Sequence, residues 1–409
     1  MMLFPLYIDP GTGSALFSIL IGASAALYFG IRALSLKLKT LFSGRNILSN
    51  AESNSKYVIY SEGKQYWNLF KPIVEEFENN KIEIRFLTSS SDDPVFESTW
   101  QYVKPEFIGE GNKAYAYLNF LGAEILLMTT PGLNVYQIKR TKRIKHYSHI
   151  LHASSDATMY RLFGLDYFDS VLLTGDYQAD DIRILEKNRG TPEKKLVTVG
   201  CPYLDTYSQK INSIPEEENH PFTVLVSPSW GPSALLSLYG EKLLDPLSAS
   251  PWRVIIRPHP QSLKSEKTML EKLQSRYTNN NNITWDLDRE NVYSLKKADI
   301  MISDFSGIIF DYMFLQEKPV LYVKQDLDMR LYDADDIDHE LWMFKTIKEA
   351  GIELHADDFS NIINLINNAK NSNLLAAARK KACNEAWFYP GEAGKRIYDF
   401  MISTVNNNA

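Results

Sequence analysis

The sequence predicts an α/β protein: two Rossmann-like, doubly wound domains behind an N-terminal transmembrane helix. Three observations carry this reading. An uncharged apolar run lies near the start, strand and helix patterns then alternate in two successive sets, and a polar stretch separates the sets. Such alternation implies parallel sheets covered on both faces. A length of 409 residues suits two domains and an appendage.

Residues 14–31 read SALFSILIGASAALYFGI, with no charge until Arg32. With its apolar flanks the run reaches about 20 residues, enough to cross a hydrocarbon core. Arg32, Lys37, Lys39 and Arg45 follow, and nothing basic precedes. The positive-inside rule then places the rest of the chain in the cytoplasm, behind a single pass through the inner (cell) membrane. Two alternatives stand beside this: a core or interfacial helix, and a signal peptide, whose basic residues would lie on the other side of the run. Gly22, Ala25 and Ala26 would let a second helix approach closely.

The expected organisation is an anchor at 1–45, a first domain at 46–212 and a second at 213–409. Residues 46–56 are a polar linker. In the first domain strands are expected at 57–60, 83–89, 123–130, 148–154, 170–175 and 195–200, the last two ending in glycine. Helical spacing marks 67–77 and 114–121. The stretch INSIPEEENHP (211–221) reads as the interdomain linker. In the second domain strands are expected at 222–228, 252–258, 282–287, 299–304 and 319–323. Helices are expected at 233–247, 263–277, 292–298 and 308–315. Residues 372–405 are mostly helical, interrupted at Tyr389-Pro390-Gly391.

A net charge of −6 argues against a nucleic-acid partner. The two cysteines, Cys201 and Cys383, lie far apart and form no metal-ligand motif, so they read as free thiols in a reducing compartment.

In doubly wound sheets ligands bind beyond the carboxyl ends of the strands, and four strand ends carry chemistry. DIMISDFSGIIFD (299–311) ends a strand at Ser303-Asp304 and opens a helix past Ser306 and Gly307. A helix N-terminus offers unpaired N–H groups to a phosphate; alternatively Ser303 or Asp304 is a plain N-cap. VIIRPHPQS (254–262) presents Arg257 and His259 between prolines, either as phosphate donors or as a rigid solvated loop. SHILHASSDATM (148–159) ends in His152, which can take a proton from an acceptor hydroxyl or serve structurally. His146 and His149 precede it, but their alternation along an apolar strand argues against shared zinc coordination. LVSPSWGPS (225–233) brings Ser227, Ser229 and Trp230 to the cleft, unless Trp230 packs the seam between domains.

These segments, in this order, resemble the CDP-glycerol glycerophosphotransferases of teichoic-acid-type polymer synthesis, over roughly residues 145–400. The carriers are His152-Ala153, Gly200-Cys201-Pro202-Tyr203, Ser227-Pro228-Ser229-Trp230, Arg257-Pro258-His259-Pro260 and Ser303-Asp304-Phe305-Ser306-Gly307, the last with Asp311 and Lys318-Pro319-Val320. The resemblance implies a GT-B fold and no essential metal or cofactor besides a CDP-glycerol or related CDP-polyol substrate. It also implies attack by a hydroxyl of a lipid-linked polymer, releasing CMP. By position, His152 would be the general base. His259, Arg257, Ser303 and Ser306 would bind or neutralise the donor phosphates, with Ser227, Ser229 and Gly307 beside them. Asp304 and Asp311 would order that loop. The sequence departs from the family after His152, where glycine is Ala153 and T-P-L-K is replaced by Ser154-Ser155-Asp156-Ala157. The second serine of the phosphate motif is Gly307, and Gly231 stands where an arginine follows the tryptophan. A sugar-nucleotide glycosyltransferase and a non-catalytic, membrane-tethered polymer-binding protein are the competing readings, followed by a sugar-nucleotide epimerase on the same fold, against which the anchor argues.

Overall fold

The computed structural model describes residues 55–288, 290–324 and 327–407. The transmembrane helix expected at 14–31 lies outside the described residues. Among the described residues no helix is long and apolar enough to cross a membrane.

Seven strands form the first sheet: β1 (Ser55–Ser61), β2 (Ile84–Thr88), β3 (Val103–Phe107), β4 (Ala123–Met128), β5 (Ile144–Ile150), β6 (Ser170–Leu173) and β7 (Lys195–Thr198). Their order is β3-β2-β1-β4-β5-β6-β7, all parallel. The second sheet holds β8 (Thr223–Val226), β9 (Arg253–Ile256), β10 (Ile283–Trp285), β11 (Ile300–Ser303), β12 (Val320–Tyr322) and β13 (Ile352–Glu353). It runs β10-β9-β8-β11-β12-β13, again all parallel. Central strands such as β8 (TVLV) and β11 (IMIS) are buried along their whole length, as expected of sheets covered by helices on both faces. Each sheet reverses direction beside its first strand, between β1 and β4 and between β8 and β11. Those are the crevices where ligands of such sheets bind.

Several elements differ from expectation. Strand β5 begins at Ile144 and stops at Ile150, so His152 lies two residues beyond it. The edge strand β3 carries no clear strand signal because Pro105 interrupts its pattern, yet an edge tolerates proline. The helix Pro202–Ser213 runs into the expected linker. The helix expected at 263–277 is broken into Ser262–Ser265 and Lys267–Tyr277 at Glu266, whose carboxylate accepts the Gly231 N–H.

The largest difference concerns the C-terminus. The last helix, Ala393–Asn407, does not stay with the second sheet, so the expected domain at 213–409 is corrected there. Its stripe Ile397, Phe400, Met401 and Val405 is buried with Phe70, Phe77 and Phe86 in the core of the first domain. The 3–4 residue spacing of that stripe matches the apolar face of the helix Trp67–Asn79. Two strand-end glycines let the returning chain pass. A Cβ on Gly175 would stand 1.9 Å from the Glu385 carbonyl oxygen, and one on Gly200, at φ +90°, 2.3 Å from that of Phe388.

Candidate active site

The carboxyl ends of the two sheets face one cleft of about 570 Å³. From the first domain it is lined by His152, Ser154, Ser155, Tyr203 and Tyr207; from the second by Ser227, Arg257, His259, Ser306, Gly307 and Asp311. Seven of the ten site residues expected from sequence therefore share one space.

His152 is held from behind. Its Nδ1 lies 2.9 Å from Thr129 Oγ1, at the end of β4, and 2.9 Å from Tyr160 Oη. Tyr66 meets the ring edge-on. With Nδ1 engaged, Nε2 is the nitrogen left to the cleft. Burial holds the imidazole down at about 4, so it is neutral at pH 7 and able to accept a proton. Behind it, Tyr160 Oη also reaches Nε2 of His149, at 3.1 Å. His149 is fully buried, and among the described residues its Nδ1 has no hydrogen-bond partner.

His259 is set for the opposite role. The backbone N–H of Gln261 donates to its Nδ1 at 3.1 Å. A backbone N–H can only donate, so the neutral ring carries its proton on Nε2 and is a donor there. Burial lowers its pKa, keeping that neutral form. Trp230 is half exposed and stacks on this ring, with centroids 6.3 Å apart, rather than packing a seam.

The start of the helix Ile308–Gln316 lines the same cleft as the two histidines. Its N-cap is Gly307, and no side chain caps it; the plain-cap reading of Ser303 or Asp304 does not hold. Among the described residues a Cβ on Gly307 would meet nothing within 4 Å, which leaves room for a ligand at the helix start.

Ser303, Asp304 and Ser229 do not line the cleft. Ser303 is fully buried and its hydroxyl donates to the Ser227 carbonyl at 2.7 Å, so it is corrected from phosphate ligand to loop support. Asp304 accepts the N–H groups of Ser229, Leu235 and Ser306, at 2.8, 2.8 and 3.2 Å, and ties the loops after β8 and β11 together. Through that bond Ser229 acts by its backbone. Arg257 reaches the cleft, but its guanidinium pairs with Asp286 at 2.6 Å and donates to the Asp288 carbonyl at 2.7 Å. Asp311 accepts the Tyr203 hydroxyl, and burial pushes its carboxyl up to about 7. Among the described residues no group of three or more His, Cys, Asp or Glu is placed to hold a metal ion.

Two buried carboxylates fix the domains against each other. Asp156 accepts the N–H groups of Trp342 and Met343, at 3.0 and 2.8 Å, where the helix Trp342–Ala350 begins. Asp333 accepts those of Phe163 and Gly164 and pairs with Arg189 at 2.8 Å. Arg189 also pairs with Asp166 at 2.8 Å.

Thr129, Tyr160, Tyr203 and Asp286 do not stand out in the sequence as site residues. Tyr203 has a signal, since it follows the Gly200-Cys201-Pro202 turn; the other three are ordinary residues until the fold assembles them.

Residues 178–402, more than half of the chain, match the family described as CDP-Glycerol:Poly(glycerophosphate) glycerophosphotransferase. The chain belongs to this family. It is thus a transferase of the CDP-glycerol glycerophosphotransferase type, and a CDP-activated donor fits it. The matched span holds Arg257, His259 and the 303–311 loop, while His152 lies before it. A comparison with curated proteins finds no match. Among solved structures, the wall teichoic acid polymerase TagF is 15% identical, with a TM-score of 0.57 over 92% of this chain and 98% of that one. The UDP-GlcNAc 2-epimerase from Methanocaldococcus jannaschii is 13% identical, with a TM-score of 0.55 over 86% and 99%. MurG from Acinetobacter baumannii is 11% identical, with a TM-score of 0.50 over 85% and 99%. At such identities the likeness establishes the fold, which is GT-B-like.

Proposed function

We propose that this family member transfers glycerol phosphate, or a related polyol phosphate, from a CDP-activated donor to a hydroxyl of a lipid-linked surface polymer, releasing CMP. The observation that carries this is the pairing of opposite histidines across one cleft. His152 is neutral, and with its Nδ1–H donated to Thr129 or Tyr160 it offers an accepting Nε2; His259 offers an Nε2–H; the helix start at Gly307 lines the same cleft.

The acceptor hydroxyl gives its proton to His152 Nε2 as its oxygen bonds to the phosphorus bearing the polyol. The bond from that phosphorus to the bridging oxygen breaks, and CMP leaves with the electron pair. The His259 Nε2–H and the N–H groups at the start of the helix Ile308–Gln316 stabilise the charge on the phosphoryl and leaving oxygens. Arg257 acts by holding the loop that carries His259, through Asp286 and Asp288. Asp311 and Tyr203 shape the wall beside the helix start.

The apolar run at 14–31 supports the further reading that the enzyme is anchored, with its cleft on the cytoplasmic side. Tethering would raise the concentration of a lipid-linked acceptor near the site.

The test is CMP release from CDP-glycerol, with CDP-ribitol and nucleotide sugars in parallel, on membranes holding the native polymer lipid. CMP from a CDP-polyol, lost in His152→Ala and His259→Ala, is the expected result. Turnover of a nucleotide sugar alone would replace the chemistry, and silence with every donor would leave a binding role.

A further inference from the structure

The first sheet has a second end. All its strands run parallel, so every strand starts on the side opposite the cleft. Register sets Ser55 beside Ala123 and Ala123 beside Ile144. That end is cationic in a protein whose net charge is −6. Lys56, Lys81 and Lys104 are exposed and share the lining of one hollow of about 770 Å³. The turn leading into β5 reads KRTKRIK (139–145), with Lys139, Lys142 and Lys145 exposed. Carboxylates answer only part of this charge: Glu83 lines the same hollow, Glu106 pairs with Arg85 at 2.7 Å, Glu124 with Lys145 at 2.8 Å and Asp169 with Arg140 at 3.0 Å. Lys104 and Lys139 donate to backbone carbonyls, which leaves their charge in place.

The same end is where the preceding chain arrives. Ser55 opens β1, and residues 32–54 alone separate it from the apolar run at 14–31. Those residues carry Arg32, Lys37, Lys39 and Arg45. We propose that the strand-start end of the first domain is a docking surface for an anionic phospholipid bilayer, with Lys56, Lys104 and Lys142 among its contacts. The proposal rests on the anchored reading above and adds which face of the domain meets the membrane. Both the charge and the attachment of the N-terminal segment point to this face. A polyanionic polymer would also meet lysines, but the growing end of an acceptor belongs in the cleft, at the opposite end of the strands.

The geometry constrains the acceptor. From Ile144 to Ile150, β5 spans ~20 Å at ~3.3 Å per residue, and His152 lies beyond. With the strand starts on the bilayer, the reacting hydroxyl must stand at the end of an extended chain rather than at the headgroup.

The full-length protein, with Cys383→Ser and a dye on Gln101→Cys, is reconstituted into phosphatidylcholine vesicles with or without a one-third share of phosphatidylglycerol. A headgroup-level quencher reports docking. Each cation contributes about fivefold to binding an anionic surface. Quenching is therefore expected only with phosphatidylglycerol, and high salt should abolish it. The triple variant Lys56→Glu, Lys104→Glu, Lys142→Glu should lower the docking equilibrium constant by at least about a hundredfold, with turnover on a soluble acceptor unchanged. Equal quenching on neutral vesicles or an unaffected triple variant would each overturn the proposal. Flotation separates the two readings: a protein that leaves neutral vesicles lacks the anchor, whatever the dye reports.

Discussion

Tyr160→Phe is the sharpest probe of how His152 is held. The change keeps the ring and removes one oxygen, which lies 2.9 Å from His152 Nδ1 and 3.1 Å from His149 Nε2. His149 is fully buried with Nδ1 already unpartnered; without Tyr160 Oη it would have no hydrogen bond at either nitrogen. A newly unsatisfied buried group costs about 1–3 kcal/mol, and that is the expected loss of stability in urea. His152 would keep only Thr129, so its ring is free to turn and Nε2 loses its aim. Misplacement on the order of an ångström can cost roughly a hundredfold in rate. The donor loops lie on the second domain and are untouched. The expectation is a kcat lower by about ten- to a hundredfold, with the KM for the CDP-polyol nearly unchanged. Steady-state CMP release beside urea unfolding measures both. A variant less stable by the stated amount but with wild-type kcat would show that the Tyr160 contact supports the fold and not the chemistry.

Four further outcomes follow from the same geometry. Because burial holds His152 at about 4, kcat/KM should show no acid limb near pH 6.5 from that group; such a limb, matched by an NMR titration of the His152 ring at the same pH, would contradict its neutral burial. Asp311 has a folded pKa raised to about 7, so its contribution to stability grows as pH falls from about 8 through 7 toward 4. Asp311→Asn should flatten that part of the Tm-versus-pH curve, and an unchanged slope would refute it. Arg189→Ala strands the buried carboxylates Asp333 and Asp166 and should cost roughly 3–5 kcal/mol in denaturant unfolding; a loss below about 1 kcal/mol would mean the pair is well solvated. Gly200→Ala, at φ +90° with its Cβ 2.3 Å from the Phe388 carbonyl, should lower Tm markedly, and a neutral result would show that the C-terminal return is pliable.

How much of this was legible in the sequence depended on whether a signal was local. Strands such as 222–228 and 299–304 are apolar runs closed by turn residues, and doubly wound logic then directs the search to their ends. That found His152, His259, Ser306 and Gly307. It could not separate ligand-facing groups from supporting ones. Ser303 and Ser306 look alike in sequence; only the register of β11 shows that the first turns inward to the Ser227 carbonyl. Arg257 reads as a phosphate fork until Asp286, on the neighbouring strand end, is seen to take it. The return of the last helix was invisible because its apolar stripe names no partner. The glycines at 175 and 200 were legible as strand ends, but the backbone that crosses above them was not.

The segment after His152 lies before the residues that match the family, and there the structure alone is the guide. Where the resemblance read from the sequence leads one to expect T-P-L-K, this chain has Ser154-Ser155-Asp156-Ala157, which on sequence alone looks like erosion of the acceptor side. In the structure Asp156 bridges the cleft, because its two oxygens take the first N–H groups of the helix Trp342–Ala350 on the other domain. A carboxylate there satisfies groups that a helix start always leaves open and complements its partial positive charge. Burial works against it and raises its pKa to about 6, a penalty tolerated only where the contact fixes something. What it fixes is the loop carrying His152, four residues earlier, against the domain that carries His259 and Gly307. Asp156 therefore sets His152 against His259 and Gly307, with the second domain holding the loop.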